Sequence, residues 1–198
     1  ESTKEVIIPS EINGIKVKKL GDYMFCNYHA LKNVGIPDGV TEIGNGVFYQ
    51  CSSIANIVIP NSVKSIGAQA FVRCSKLTSV IIPDNVTNIG DHAFGYCTSL
   101  SGITFLGDNI DYIGRTAFEN TAWLNNQNDG VVYIGKLLYC YKGKMPSNTT
   151  ITVKDGTEAI EAGAFAEKKE LIGVVLPNSV KTLEEGAFDG CTNLASID

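Results

Sequence analysis

Six cysteines are the residues of this 198-residue chain best suited to chemistry, because they could act as reactive thiols, form disulfides or bind a metal. Three of them, Cys51, Cys74 and Cys97, recur at one constant interval, and Cys191 occupies the equivalent place near the end of the chain. Cys26 and Cys140 fall outside this register. No Cys-x-x-Cys pair occurs, so the spacing does not support a zinc ribbon.

The regular spacing also bears on disulfides. Equivalent cysteines on stacked repeats would have α-carbons about 4.8 Å apart, inside the disulfide range of about 4.4–6.8 Å. Parallel stacking keeps their β-carbons at about the same 4.8 Å, beyond the preferred separation of about 3.8 Å. The spacing therefore favours a row of buried free thiols, with disulfide bridges as the alternative.

Other residues suited to catalysis are scarce. The chain has only two histidines, and His92 stands near Cys97 at a position that varies between repeats, so a Cys–His pair is not predicted. The motifs Gly-x-Ser-x-Gly and His-Glu-x-x-His are absent, as is a glycine-rich phosphate loop. We therefore predict no catalytic, metal-binding or cofactor-binding residue, no cofactor, and a protein that is not an enzyme.

Net charge and hydrophobicity argue against two further classes of protein, nucleic-acid-binding proteins and membrane-spanning proteins. With 16 basic and 21 acidic residues the net charge is −5, which argues against nucleic acid as a partner. Hydrophobic residues make up 44% of the chain, which is typical of a globular protein. No apolar run approaches the ~20 residues of a transmembrane helix, so no transmembrane segment is predicted.

The elements that position these residues follow from a repeat of about 23 residues. Seven phenylalanines mark it at nearly even intervals, apart from one gap of double length between the fifth and the sixth: Phe25, Phe48, Phe71, Phe94, Phe118, Phe165 and Phe188. A leucine or isoleucine stands six residues after and five residues before each of them. Such self-similarity along a whole chain predicts a solenoid of stacked coils.

Each repeat contains two local patterns. The short segment 77–83 is rich in β-branched residues and ends at Pro83, which predicts a strand closed by a turn. Ile89, Ala93, Phe94 and Cys97 are spaced as on a helix of about two turns, which predicts a short helix or 3₁₀ turn held by packing. Neither pattern buries its apolar side alone, so stacked coils must share one core.

A glycine precedes the repeat phenylalanine by four residues in the first five copies, at Gly21, Gly44, Gly67, Gly90 and Gly114. Glu161 and Glu184 hold this place in the last two copies. Because glutamate tolerates a left-handed backbone poorly, the glycines are predicted to serve close packing or a turn, not a ligand-binding loop.

The repeat Ile-Pro-x-x-Val-x-x-Ile-Gly-x-x-Ala-Phe-x-x-Cys-x-x-Leu, as it stands at residues 82–100, resembles the BspA-like, or Treponema-type, leucine-rich repeat of bacterial surface proteins. The resemblance covers essentially the whole chain. It implies a leucine-rich-repeat solenoid of secreted or surface-anchored proteins associated with adhesion to host or matrix components. It also implies that the repeat positions are structural and not catalytic.

Residues 121–150 depart from the repeat. Val131–Ile134 and Leu137–Tyr141 flank Gly135 and Lys136, which predicts a β-hairpin with a tight turn. The preferred interpretation is that this hairpin completes one irregular coil of a single domain, residues 1–198. The alternative is that Trp123, Tyr133, Tyr139 and Tyr141 form part of a contact surface. We expect the chain to be a fragment of a longer protein.

A second candidate surface lies on the strands. Side chains alternate along a strand, so one residue per coil should face outward on the concave side: Gly35, Val58, Ile81, Thr104, Thr152 and Val175. Val58 and Ile81 would be adjacent exposed aliphatic residues, flanked by Asn56 and Ser79. One interpretation is β-propensity with partial shielding, and the other is a weakly apolar binding strip.

Together these features predict a β-dominated leucine-rich-repeat solenoid whose coils each carry a short concave-face strand and a short helical turn. The predicted function is a non-enzymatic protein-binding or adhesion module of a bacterial cell-surface or secreted protein. The alternative is a structural spacer that displays another domain. We expect a monomer at the cell surface or outside the cell, with an unidentified protein or a host or matrix component as partner.

Overall fold

Short strands dominate the architecture of residues 4–198, the part of the chain that the computed structural model describes. These residues form two compact units, of which the first ends at Asn126 and the second is Gln127–Asp198. The strands of the first unit are β1 (Lys4–Ile7), β2 (Glu11–Ile12), β3 (Ile15–Lys16), β4 (Lys19–Leu20), β5 (Leu31–Gly35), β6 (Glu42–Ile43), β7 (Ser65–Ile66), β8 (Ser79–Ile82), β9 (Asn88–Ile89), β10 (Gly102–Phe105) and β11 (Tyr112–Ile113), followed by the helix α1 (Ala122–Asn125). Those of the second are β12 (Gly130–Ile134), β13 (Leu137–Lys142), β14 (Thr149–Thr152), β15 (Ala159–Ile160), β16 (Leu171–Val175), β17 (Thr182–Leu183) and β18 (Ser196–Ile197).

Parallel pairing between consecutive coils confirms the solenoid in the first unit. The strands β4, β6, β7, β9 and β11 form one five-stranded parallel sheet, in which Ile66 pairs with Ile43 on one side and Ile89 on the other. The longer strands β8 and β10 also pair in parallel, with Ile81 opposite Thr104. These partners are equivalent positions of consecutive repeats, so the sequence repeat is one coil of the fold.

Of the two alternatives predicted around the repeat phenylalanine, a short helix or a 3₁₀ turn, the structure has turns with 3₁₀-type hydrogen bonds and not a continuous helix. Ile89 belongs to strand β9, and the residues after it form successive turns closed by hydrogen bonds over three residues, such as Ala93 N–H to Gly90 O and Cys97 N–H to Phe94 O. The residues two before and two after Phe94, His92 and Tyr96, have φ of 52° and 59°. These left-handed residues interrupt a helix and produce a chain of turns instead.

The turns also connect neighbouring coils. The N–H groups of Gln69, Phe71 and Arg73 donate to carbonyl oxygens of the next coil, and the same three positions do so in each of the first four coils. These bonds run from each coil to the following one, at 2.7–3.3 Å. The backbone groups that a helix would satisfy internally are thus satisfied between coils.

A column of stacked phenylalanine rings forms the centre of the first unit. The ring of Phe94 lies 5.0 Å from that of Phe71 and 5.6 Å from that of Phe118, nearly parallel to both. Phe48 and Phe25 continue the column. The rings of Phe48, Phe71, Phe94 and Phe118 are fully buried, as the repeat predicted.

Close packing explains the glycine of the repeat. A β-carbon added to Gly67 would lie 2.6 Å from the carbonyl carbon of Gly44 and 2.7 Å from the backbone nitrogen of Asn45. Gly67 is not among the glycines with a positive φ, so it is required for space and not for backbone handedness. The prediction of a packing role is confirmed.

Two antiparallel hairpins interrupt the regular coils. The first, β2–β3, turns at Asn13 and Gly14, both with positive φ, and accounts for the extra residues near the start of the chain. The second, β12–β13, is the predicted hairpin, and β13 pairs in parallel with β15 of the second unit. In that unit β14, β16 and β18 form a further parallel sheet.

Candidate functional site

The outward positions of the sheet in the first unit lie where the alternation predicts. In β8 the side chains of Val80 and Ile82 are buried, whereas Ile81 between them is 55% exposed. Val58 is 78% exposed, in register with Ile81 one coil later. We call Val58 and Ile81 with Thr104 the outward strip; Asn56 and Ser79 beside it are paired by a parallel bridge.

A groove of about 360 Å³ follows the outward strip. Val58, Ile81 and Leu106 contribute its apolar wall, together with Ile57, Ile59 and Pro83, while Asn61 and Asp84 provide polar groups. The side chain of Leu106 is 62% exposed, a member of this surface that the sequence analysis missed. The sequence does mark this position, because Leu106 stands where the two preceding coils have proline. Unlike proline, Leu106 has an N–H group, which donates to Ile82 O at 3.0 Å.

Further outward positions lie in both units. Thr152 and Val175 are exposed in the second unit, where β14 and β16 place them opposite each other. In the first unit Ile7 is 78% exposed and pairs with Gly35. The predicted outward orientation is therefore confirmed for the whole set, and Ile7 extends it by one residue.

The aromatic residues of the irregular segment have packing roles. Trp123, on α1, is half-buried with its ring 5.4 Å from that of Phe118 at an angle of 62°, where it closes the phenylalanine column of the first unit. Thr121 caps α1 by accepting a hydrogen bond from Leu124 N–H. Tyr141, in the second unit, lies against Phe165 with centroids 6.4 Å apart, and its N–H donates to Ala164 O.

Tyr139 corrects the prediction of an aromatic contact surface. Its side chain is only 4% exposed, so it is not available to a partner. Tyr133 is half-buried; its hydroxyl accepts a hydrogen bond from Lys154 N–H at 3.0 Å, and Lys154 Nζ lies 6.0 Å from its ring centroid. Tyr133 and Tyr141 also pack against the core of the second unit.

The cysteine row is buried and hydrogen-bonded. Cys51, Cys74, Cys97 and Cys191 each donate from Sγ to the carbonyl oxygen of the phenylalanine in the preceding coil, at 3.0–3.3 Å. All six cysteines are free thiols in the structure. Burial raises the pKa of Cys51 to about 11 and that of Cys140 to about 12. The pKa of Cys74 is also raised, by its contact with Cys97 and by burial.

These thiols are expected to be unreactive in the folded protein, because the thiolate is the reactive form and a raised pKa suppresses it near neutral pH. Labelling with a thiol reagent in native buffer should modify at most the half-buried Cys26 quickly, whereas labelling after denaturation without reductant should count six thiols. Fewer than six thiols in the denatured protein would show that bridges form and would contradict the buried-thiol prediction.

Neither a metal centre nor a catalytic pair is assembled in the described region. No group of three or more His, Cys, Asp or Glu side chains within residues 4–198 is placed to hold a metal ion. His92 Nδ1 lies 3.5 Å from Glu119 Oε2, whereas the Cys97 thiol donates into the core to Phe71 O. Among the described residues, no helix has the length and apolar character needed to cross a membrane.

Comparison with known proteins identifies the class defined by this fold. The family model described as BspA type leucine rich repeat region matches residues 2–125 and 132–198, with six copies. The chain therefore belongs to the BspA-type leucine-rich repeat family, and the resemblance drawn from the repeat is confirmed. This family and its fold are typically non-enzymatic.

Solved structures agree with this assignment. A leucine-rich cell surface protein from Faecalibacterium prausnitzii is 27% identical, with a TM-score of 0.51 over 98% of this chain and 69% of that chain. The leucine-rich repeat protein of Treponema pallidum is 25% identical, with a TM-score of 0.51 over 98% of this chain and 68% of that one. A Bacteroides ovatus leucine-rich repeat protein, 23% identical with a TM-score of 0.58 over 98% and 54%, supports the fold alone. No curated protein matches the chain.

Proposed function

We propose that this chain is a non-enzymatic protein-binding or adhesion module of a bacterial cell-surface or secreted protein, acting as a monomer outside the cell or at its surface. Membership of the BspA-type family supports the class, and the Faecalibacterium relative is named a cell surface protein. The observation that carries the proposal is the groove along Val58, Ile81 and Leu106, where the aliphatic side chains of strand β8 and of the segments beside it are exposed.

Physical chemistry favours this groove as the contact site. Outward aliphatic side chains add nothing to the core, and contiguous exposed apolar surface commonly marks an interaction site. The interior positions beside them, Val80 and Ile82, are packed, so the backbone that presents Ile81 is already ordered. Binding therefore loses little conformational entropy. Asn56 and Ser79 supply polar groups at the edge of the contact.

The partner would be a protein that inserts apolar side chains into the groove and meets the polar groups beside it. A host or extracellular-matrix protein is the partner that the family resemblance implies. Trp123 in the first unit and, separately, Tyr133 and Tyr141 in the second unit are the second choice of contact residues, because each is partly committed to packing.

The test replaces Val58 and Ile81 together with aspartate. The double variant should keep its circular dichroism spectrum and melting temperature, because both side chains lie outside the packed interior. Its affinity for immobilised extracellular-matrix protein should fall by more than about five-fold, the equivalent of ~1 kcal/mol that marks an important interface residue. Surface plasmon resonance measures this loss.

A matched control is Ile15→Asp, which places the same charge at an aliphatic residue that is 74% exposed but lies on the β2–β3 hairpin. It should leave the affinity unchanged. A folded double variant that binds as tightly as the original would move the contact away from the outward strip. Failure of the unmodified protein to bind any matrix component would favour the spacer function.

A further inference from the structure

A second groove, of about 400 Å³, lies in the first unit and shares no residue with the groove along the outward strip. We call it the polar groove. Two columns of side chains line it, two and four residues after the repeat phenylalanine: Gln50, Arg73 and Tyr96 in one, and His29, Ser52, Ser75 and Thr98 in the other. Each column advances by one residue per coil.

The side chains of the polar groove are uncommitted within the fold. Polar side chains elsewhere tie coils together, as when Asn45 Oδ1 accepts from Ala68 N–H and Ser62 donates to Val40 O. Within residues 4–198, none of the seven groove side chains takes part in a hydrogen bond or ion pair. Their one specific contact is between Arg73 and Tyr96, whose ring centroid lies 5.7 Å from the guanidinium carbon.

The polar groove is locally positive in an acidic chain. The segments 26–32, 49–55, 72–78 and 95–101, which pass along it, contain no aspartate or glutamate but include Lys32, Arg73 and Lys76. The whole chain has 21 acidic against 16 basic residues, so this separation is unusual. Glu119, in the following coil, lies beside His92. Of these cations only Arg73 lines the groove, so an anion entering it would meet the Arg73 guanidinium and neutral donors.

The chemistry of the lining selects among anions. A guanidinium pairs with carboxylate or sulfate, and its contact with the tyrosine ring holds it in place. Serine, threonine and glutamine side chains both donate and accept hydrogen bonds, which suits a ligand rich in hydroxyl groups. Tyr96 is 38% exposed and offers an aromatic surface to the apolar face of a sugar ring.

The distance between consecutive coils favours a sugar chain over a peptide as the ligand of the polar groove. Consecutive coils pair as neighbouring parallel strands and so advance by about 4.8 Å, which is close to the length of one pyranose unit in a linear oligosaccharide. An extended peptide advances about 3.3 Å per residue and presents the same side every second residue, so it does not match this interval.

We propose that the polar groove binds a linear acidic oligosaccharide, with one pyranose unit per coil and a carboxylate or sulfate group at Arg73. This site goes beyond the proposed protein-binding function and is independent of the outward strip. It gives the chain a second ligand class on a separate surface of the first unit.

The test uses isothermal titration calorimetry with four defined probes on the folded chain. Oligogalacturonate carries carboxylates, a sulfated galactan oligosaccharide carries sulfates, maltohexaose is neutral and hexaglutamate is an anionic peptide. We expect one or both acidic sugars to bind about ten-fold or more tightly than maltohexaose or hexaglutamate, and more weakly as salt increases. The two acidic sugars distinguish a carboxylate from a sulfate ligand.

Other coils of the chain show which substitution the backbone at Arg73 and Tyr96 tolerates. Asn27 and Asn120 occupy the same left-handed position as Arg73 and Tyr96, with φ of 63° and 55°, so Arg73→Asn and Tyr96→Asn are compatible with the backbone. Each should keep the melting temperature and lower the affinity for the acidic sugar about ten-fold or more. Lys64→Asn, which removes a charge outside the groove, should leave that affinity unchanged.

Three results would overturn the proposal. The first is an absence of binding by both acidic sugars. The second is equal binding of hexaglutamate, which would reduce the groove to a general electrostatic patch. The third is unchanged sugar affinity in both folded asparagine variants.

Discussion

Replacing Phe94 with alanine is expected to lower the free energy of unfolding by about 3–5 kcal/mol, the cost of deleting a large buried aromatic side chain. The ring of Phe94 is fully buried and stacks on Phe71 and Phe118, so the cavity would open in the middle of the column. Because each coil contacts only its neighbours, the coils on both sides should loosen as well. Urea unfolding followed by circular dichroism measures the loss.

Phe25→Ala provides the matched control. Phe25 is half-buried and stacks only on Phe48 among the described rings, so its deletion should cost less than that of Phe94. A loss below about 1 kcal/mol at Phe94, far under the usual cost of an aromatic deletion, would show that the phenylalanine column is not the core.

Gly67→Ala should also destabilise strongly, by about 3 kcal/mol, at the upper end of the range for overpacking. The added methyl group would meet the backbone of Gly44 and Asn45 in the preceding coil, and backbone held by two neighbouring coils has little freedom to move. The melting temperature should fall accordingly.

Gly21 occupies the same repeat position in the first coil and supplies the control for this substitution. Among the described residues, no atom outside its immediate chain neighbours lies within 4 Å of a β-carbon placed on Gly21. Gly21→Ala should therefore be neutral or slightly stabilising, because alanine reduces the entropy of the unfolded chain. Equal destabilisation by the two substitutions would argue against packing as the reason for the glycine.

The buried positions were predictable because burial recurs in every coil. Seven phenylalanines in register predicted the column, and the alternation around Ile81 predicted which side chains face outward. The conformation between those positions was not predictable in the same way. The spacing of Ile89, Phe94 and Cys97 fits a helix and a chain of turns equally, and the hydrogen bonds that favour the turns reach into another coil.

The irregular segment shows how a substitution can hide a repeat. Tyr141 follows Phe118 at one repeat interval, and its N–H makes the bond to the next coil that the repeat phenylalanine makes elsewhere. Counting only phenylalanines left an apparent gap of double length there. An aromatic residue at the expected interval was the signal for a packing role, and it outweighs the prediction of a contact surface.

The polar groove was missed for the opposite reason. Its lining differs from coil to coil, with Gln50, Arg73 and Tyr96 at one repeat position. A search for recurring residues passes over such positions. They become visible as a site only when the coils are stacked and the variable columns lie side by side.

The one-way hydrogen bonds of the turns have an electrostatic consequence. In each of the first four coils three turn N–H groups, such as those of Gln69, Phe71 and Arg73, point towards backbone carbonyl groups of the following coil, and those carbonyl groups point back. Aligned peptide dipoles add, as they do in an α-helix, whereas those of ordinary sheets largely cancel. The turn side of the unit therefore carries a macrodipole along its stacking direction. Its sense is the reverse of a helix, with the positive end towards the later coils.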